Sequence, residues 1–218
     1  MPSIHSPACR CLLIACLLFP ALAAQSADSL PPAPDYRGEI RRGADGRLNA
    51  VAAPATQAEQ PAKATMVVGP GERIATITEA ARQARDGEVI EIRPGSYHGQ
   101  PAVWTQDRLV IRGRGERPVM LADGRHAEGK GIWVVRGGEI RIENIEFRGA
   151  RVPGGNGAGI RFERGRLSIH GCRFADNEMG ILTANFPEQT LAVSDSEFIE
   201  APLHQGQLHH LLYVGAIG

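Results

Sequence analysis

The chain has 218 residues, 43% of them hydrophobic, and its 24 Lys and Arg residues balance its 24 Asp and Glu residues. With no basic excess and only 5% aromatic residues, nucleic acid is not an expected partner. Three of the four cysteines lie within the first 24 residues, so a chain processed there keeps Cys172 alone and has no internal disulfide. Stability then has to come from buried apolar side chains.

Residues 1–24 have the features of a secretory signal peptide. Arg10 precedes an apolar run over 12–24 that ends in small alanines. This run is short for a membrane helix, which needs about 20 apolar residues, and no later segment approaches that length. Residues 13–16 also resemble a lipoprotein cleavage box with Cys16 as the anchor, a minority alternative because its apolar core would be unusually short. We therefore predict an exported protein, periplasmic or extracellular, without a membrane span.

Two regions follow the signal peptide. Residues 25–65 are rich in Ala and Pro and have no sustained apolar period, which predicts a disordered leader or linker. Residues 66–218 are the predicted folded domain. Near its start Thr76 and Glu79 form a capping-box pattern, with Gly87 as the expected C-cap. A short helix is therefore predicted to cap the first coil of the domain.

A repeated pattern then dominates the chain. Aliphatic residues at alternate positions are followed by a turn residue and, three positions later, a Phe in each of the segments 140–147, 167–174 and 191–198. The segments start 27 and 24 residues apart, a period at which one supersecondary unit stacks on the next. Spacing of two within each unit is typical of strands. The turn residues Asn144, Gly171 and Asp195 suit a left-handed backbone bend. The pattern predicts a β-solenoid.

The regular positions of these segments are expected to be buried. Phe147, Phe174 and Phe198 should form an internal aromatic stack, since burying each ring is worth about 1.5–3 kcal/mol. Cys172 falls at an inward position, which predicts a small buried thiol rather than a nucleophile or a metal ligand. These columns therefore define the fold and leave the chemistry to other positions.

A second set of strands, each opening with Gly, precedes the first set: 131–137, 159–165, 180–186 and a continuation at 211–215. If Ile132 and its equivalents point inward, strand alternation predicts an outward column of Trp133, Arg161, Leu182 and Tyr213. Glu163 is placed in the next column out. The chain stops within a strand-like segment, which predicts further rungs beyond Gly218.

The entry segment 77–97 resembles the opening of right-handed parallel β-helix proteins of the pectate-lyase-like superfamily, and segments 157–160 and 177–181 fit the same group. The resemblance covers about 67–218 and implies an all-β, right-handed parallel β-helix with an extended carbohydrate-handling surface. It names no single reaction. The calcium-binding Asp set and catalytic Arg of pectate lyases, and the paired Asp residues of polygalacturonases, have no match here.

Loops that enter the Gly-led strands should lie side by side along one edge. They contain a set of polar residues: Arg151, Asn156, Asp176, Asn177, Glu178, His204, His209 and His210. Aromatic faces, an Arg and amides suit an anionic sugar chain. An acidic polysaccharide is therefore the predicted partner, bound by the set Trp133, Arg151, Asn156, Asp176 and Asn177.

Two reactions remain open for this surface. Elimination from a uronic acid needs a base, a cation near the carboxylate and a proton donor, roles for which His210, Arg161 and Tyr213 have suitable chemistry. Hydrolysis needs two carboxylates, for which Glu163 pairs with Glu178 or Asp176. A noncatalytic cell-envelope or surface scaffold is the competing interpretation, in which these are ordinary surface residues. Enzyme status stays open.

No cofactor is required by either reaction. Calcium held by Asp176, Glu178 and carbonyl groups is chemically sensible, although no dense acidic pattern supports it. A transition-metal site at His204, His209 and His210 is disfavoured because adjacent histidines on a strand point to opposite faces. The protein is expected to be a monomer.

Overall fold

The computed structural model describes residues 38–42, 48–52, 62–202 and 209–217. The signal peptide predicted over 1–24 lies outside these residues, as does His204. Within the predicted leader, strands β1 (Gly38–Arg42) and β2 (Leu48–Ala52) form an antiparallel pair, which the sequence analysis did not anticipate. They belong to a unit separate from the one that contains the Phe repeats.

The second unit is a parallel β-solenoid of about five turns with one short helix, α1 (Ile77–Gln83). The strands before the long central pair are β3 (Met66–Val68), β4 (Glu88–Ile92), β5 (Ser96–His98), β6 (Ala102–Trp104), β7 (Arg108–Gly113) and β8 (Val119–Leu121). The remaining strands are β9 (Gly131–Glu143), β10 (Glu146–Arg148), β11 (Ala158–His170), β12 (Arg173–Ala175), β13 (Met179–Thr183), β14 (Thr190–Ser194), β15 (Glu197–Ile199) and β16 (His210–Tyr213). The predicted parallel β-helix is confirmed.

The solenoid presents three faces. The first consists of β6, the opening halves of β9 and β11, β13 and β16. The second contains β3, β4, β7, the closing halves of β9 and β11, and β14. The third stacks β5, β8, β10, β12 and β15. The long strands β9 and β11 pass from the first face to the second at Gly138 and Gly165, whose φ angles are 68° and 95°.

The corner between the second and third faces has the predicted geometry. Asn144, Gly171 and Asp195 adopt φ angles of 53°, 59° and 49° on successive turns. Asn144 Nδ2 also donates to the carbonyl oxygens of Gly113 and Gly115, at 3.1 and 3.0 Å. This side chain therefore ties one corner to the corner of the preceding turn.

The Phe column is stacked as the repeat predicts, with Phe147 and Phe174 buried and Phe198 half-buried. The rings of Phe147 and Phe174 lie 5.3 Å apart with an angle of 11° between their planes, and those of Phe174 and Phe198 lie 4.8 Å apart at 9°. The same register continues backwards through Met120 to Tyr97. Parallel packing of one turn on the next holds identical side chains at one strand spacing, which explains the nearly parallel, stacked rings.

Cys172 is buried in the same core and behaves as the predicted structural thiol. Burial raises the pKa of this thiol to about 11, and hydrogen bonding to the backbone opposes that effect only in part. Since the thiolate is the reactive species, the group is held in its inert form near neutral pH.

Helix α1 begins as predicted and ends earlier. The Thr76 side chain accepts from Glu79 N, which confirms the capping box. The C-cap is Ala84 rather than the predicted Gly87, because the chain turns extended at Ala84. Gln106 Nε2 then donates to the carbonyl oxygens of Ala81 and Ala84, so the helix end needs no glycine. None of the described residues forms a helix long and apolar enough to cross a membrane.

One predicted register is wrong. Gly131 pairs with Ala158, not with Gly159, so Trp133 occupies the inward register of Ile160. The Trp133 side chain is fully buried, and its ring packs edge-on against Phe147 at 4.9 Å and Trp104 at 5.3 Å. A bulky indole gains more from this core than an aliphatic side chain would. Val134 takes the place in the outward column that had been predicted for Trp133.

Candidate functional site

An open groove of about 370 Å³ lies on the first face. Its lining includes Asn156, Arg161, Leu182, Asn185, His210 and Tyr213, and these residues are called the groove here. Arg161 pairs with Leu182 across neighbouring strands, and Leu182 pairs with Tyr213. The predicted column of Arg161, Leu182 and Tyr213 is therefore present on three consecutive turns.

Arg161 is a partly buried cation without a hydrogen-bonded carboxylate. Its side chain is 24% exposed, and its nearest ion-pair partner is Glu163 Oε1, 3.9 Å from Nε. Among residues 62–202 and 209–217, Arg161 Nε has no hydrogen-bond partner although it is shielded from solvent. A guanidinium in this condition gains strongly from an anionic ligand.

Tyr213 and His210 form the opposite wall of the groove. Tyr213 is 46% exposed, and its ring centroid lies 5.4 Å from that of His210, with the planes tilted by 50°. The His210 backbone N–H donates to Glu178 O at 3.3 Å. The exposed phenol offers a flat apolar surface with a hydroxyl at its end.

Glu163 does not face the groove as an available acid, because it lies in an ion cluster with Glu128, Lys130 and Arg136. Glu163 Oε1 is 2.6 Å from Lys130 Nζ, and Oε2 is 2.7 Å from Arg136 Nη2. Burial raises the pKa of Glu163, but its hydrogen bonds to Lys130 and Arg136 outweigh burial, so the net pKa is lowered. The Arg136 hydrogen bond likewise lowers the pKa of Glu128. Both groups are held as carboxylates.

Glu178 is a structural carboxylate and does not line the groove. Its side chain is buried, with the residue 5% exposed, and Oε2 accepts from Val152 N at 3.1 Å and Gly157 N at 2.6 Å. These two donors are the ends of the loop that carries Asn156 into the groove. At Gly157 a Cβ would stand 2.9 Å from the Arg151 backbone, so the close approach requires glycine. Glu178 therefore fixes the loop.

Three further predicted binding residues also build the loop scaffold. Asn177 is buried, where Oδ1 accepts from Ala150 N and Nδ2 donates to Phe147 O, both at 2.9 Å. Arg151 Nη2 pairs with Asp176 Oδ1 at 2.6 Å. Their polar atoms are used within the protein, and none of the three lines the groove.

The structure therefore brings together Asn156, Arg161, His210 and Tyr213, and separates them from the other predicted residues. Two groups went unrecognised in the sequence. Asn185 lies two residues beyond the end of β13 and lines the groove, and Lys130 directly precedes the Gly-led strand β9 and lines a smaller cavity beside it. Their positions at or next to the ends of the predicted Gly-led strands are the sequence feature from which they could be found.

Calcium at Asp176 and Glu178 stays a prediction, and the structure shows which contacts these two carboxylates make. Among the residues that the structure describes, no three His, Cys, Asp or Glu side chains are grouped to hold a metal ion. Asp176 pairs with Arg151, and Glu178 Oε2 accepts two backbone N–H groups. His209 Nδ1 lies 2.7 Å from Pro202 O. One oxygen of each predicted carboxylate ligand is therefore already used within the protein.

No protein family model matches the chain, and no curated protein matches it. A solved structure that does match is the crystal structure of a pectin methylesterase mutant in complex with a hexasaccharide, with 15% sequence identity and a TM-score of 0.36. The match covers 69% of this chain and 60% of the length of the pectin methylesterase chain. The resemblance to parallel β-helix proteins holds at the level of the fold, which the strand pairing itself establishes.

Proposed function

We propose that the groove binds an acidic polysaccharide. The observation that carries this proposal is the Arg161 guanidinium, which lies partly buried and has no hydrogen-bonded anion among the described residues. The exposed ring of Tyr213 lines the same groove two strands away. A sugar acid supplies both missing partners, since its carboxylate suits the guanidinium and its ring face suits the phenol. The amides of Asn156 and Asn185 supply hydrogen bonds for hydroxyl groups.

The arrangement favours an extended ligand. Arg161, Leu182 and Tyr213 stand on three neighbouring strands, so the column they form spans roughly 10 Å along the solenoid axis at about 4.8 Å per strand. A chain of sugars running along this axis contacts several turns at once. The exported location predicted from residues 1–24 belongs to the same proposal.

If the bound chain is processed, the groove favours elimination over hydrolysis. Glu163 is an ion-paired carboxylate with a lowered pKa, Glu178 Oε2 accepts from two backbone N–H groups, and Asp176 pairs with Arg151. Each of the three carboxylates considered for hydrolysis is therefore engaged in other contacts. His210 and Tyr213 are adjacent in the groove. In this reaction His210 takes the proton from the sugar C5, the C4–O bond breaks, and Tyr213 protonates the leaving oxygen.

Calorimetric titration with uronate oligosaccharides tests binding. We expect Arg161→Ala and Tyr213→Ala each to weaken binding at least about tenfold, the scale of one charge-assisted hydrogen bond or one buried aromatic contact. Arg166→Ala is the matched control, because Arg166 lies on the second face in an exposed pair with Glu139. Equal affinity in all four proteins would remove the groove from consideration.

Ultraviolet absorbance of unsaturated uronate tests processing on the same samples. Turnover that His210→Ala abolishes would support elimination. Binding without turnover would instead establish a noncatalytic binding module, the scaffold alternative.

A further inference from the structure

A smaller cavity of about 120 Å³ adjoins the groove, and it is called the side cavity here. It is lined by Gly129, Lys130, Asn156, Arg161 and Leu182. Asn156, Arg161 and Leu182 also line the groove, so the two spaces share a wall. Its volume is well below the roughly 300–1,000 Å³ of a ligand pocket, so it has room for a substituent but not for a whole sugar.

The charges around the side cavity do not cancel. The ion cluster contains the cations Lys130 and Arg136 and the carboxylates Glu128 and Glu163, and each carboxylate contacts both cations. Arg161 stands next to this balanced set with only the 3.9 Å approach to Glu163. Among these described residues, three cations face two carboxylates, so one positive charge is in excess. We assign it to Arg161, which lines both spaces.

We propose that the side cavity is a subsite for one monoanionic substituent of the bound chain, a carboxylate or a sulfate ester. This inference rests on the proposed function, because it says which part of the groove region holds the acidic group of the polysaccharide. Arg161 donates to the anion, the Lys130 ammonium lines the same cavity as a further N–H donor, and the Asn156 amide supplies another. A single negative charge neutralises the excess, whereas a neutral substituent leaves the guanidinium unsatisfied.

Three oligosaccharides of the same length and linkage test the subsite by calorimetry: a uronate chain, its carboxyl-reduced neutral counterpart and a sulfated chain. The wild-type protein should bind the uronate or the sulfated chain about tenfold or more tighter than the neutral chain, and the preferred one identifies the substituent. Arg161→Gln should abolish this preference and Lys130→Gln should reduce it. Arg141→Gln is the control, because Arg141 pairs with Glu143 on the second face.

The outcomes separate the two proposals. Equal affinity of the wild-type protein for charged and neutral chains, with binding still dependent on Tyr213, would overturn the subsite and leave the groove as a sugar site. Absence of binding by all three chains would overturn the proposed function.

A measurement without sugar then decides the subsite by itself. The ¹⁵N-labelled Arg161 Nε–H signal is followed during titration of the wild-type protein with sodium acetate and, separately, sodium sulfate. A saturable shift that Lys130→Gln weakens supports an anion site, and a shift no larger than that of Arg141 overturns it. This experiment uses the wild-type protein and Lys130→Gln, so it does not depend on whether an Arg161 variant folds.

Discussion

The Phe stack and the groove occupy the same turns of the solenoid and use its repetition in opposite ways. In the stack, Phe147, Phe174 and Phe198 repeat one side chain at one register. In the outward column of the first face, equivalent registers hold Val134, Arg161, Leu182 and Tyr213, which differ in chemistry. The repeated positions stabilise the turns. Among the positions that break the repeat, Val134 and Leu182 are buried, whereas Arg161 and Tyr213 are exposed enough to contact a ligand.

The largest expected effect is a loss of stability on substitution within the Phe stack. Phe174 is stacked between Phe147 and Phe198, so Phe174→Ala leaves a cavity bounded by two rings and should lower the free energy of unfolding by about 3–5 kcal/mol. Chemical denaturation measures this. Phe186→Ala is the matched control, since Phe186 is 41% exposed and contacts Arg164 through a cation–π interaction. A loss of equal size in both variants would contradict the central role of the stack.

An intermediate effect is expected at the link between core and groove. Glu178→Ala leaves the Val152 and Gly157 N–H groups without their acceptor and should cost about 1–3 kcal/mol of unfolding free energy. It should also free the loop that carries Asn156. Denaturation and amide hydrogen exchange at Gly157 measure the two effects.

Glu178→Gln keeps an acceptor oxygen and should restore most of the protection at Gly157. Glu197→Ala is the surface control, because Glu197 contacts Arg173 on an exposed part of the third face. Unchanged exchange at Gly157 in Glu178→Ala would show that the loop holds without this carboxylate.

The smallest expected effect is a pH-dependent change in stability that reports on the burial of Cys172. The pKa of Cys172 is raised from 9.0 to about 11 by burial, so the folded state holds the thiol proton more tightly than the unfolded chain. The stabilisation is fully present below pH 9 and is lost as pH rises towards 11, at no more than about 1.4 kcal/mol per pH unit. The difference in unfolding free energy between wild type and Cys172→Ala should therefore shrink over this range. A difference that is constant with pH would mean that the thiol is not shielded.

The sequence predicts the repeated positions well because every turn has to bury an apolar side chain and form a bend at the same register. The Phe register and the left-handed corners at Asn144, Gly171 and Asp195 follow directly from spacing and turn chemistry. The register at Trp133 does not, because Ile132 and Trp133 are both apolar and either could point inward. Core volume decides between them, and that quantity depends on residues distant in the sequence.

Prediction of the site is weaker for a related reason. Strand alternation predicts Arg161 and Tyr213, the loop that enters the last Gly-led strand predicts His210, and all three line one groove. Glu178 was expected to act on a substrate, but its acceptors are used by backbone N–H groups of Val152 and Gly157. Backbone donors carry no residue-specific signal, so the sequence cannot reveal that a carboxylate is committed to them.

The Glu178 contact also sets a rule for rebuilding this surface. A loop of different composition can replace residues 153–156 without disturbing the stacked turns, provided that its two flanking backbone N–H groups still reach one carboxylate of the adjacent turn. Gly157 must be kept, since the Arg151 backbone leaves no room for a larger residue. Residues 153–156 are thus held by two fixed backbone contacts at their flanks, so their side chains can differ while the solenoid stays the same.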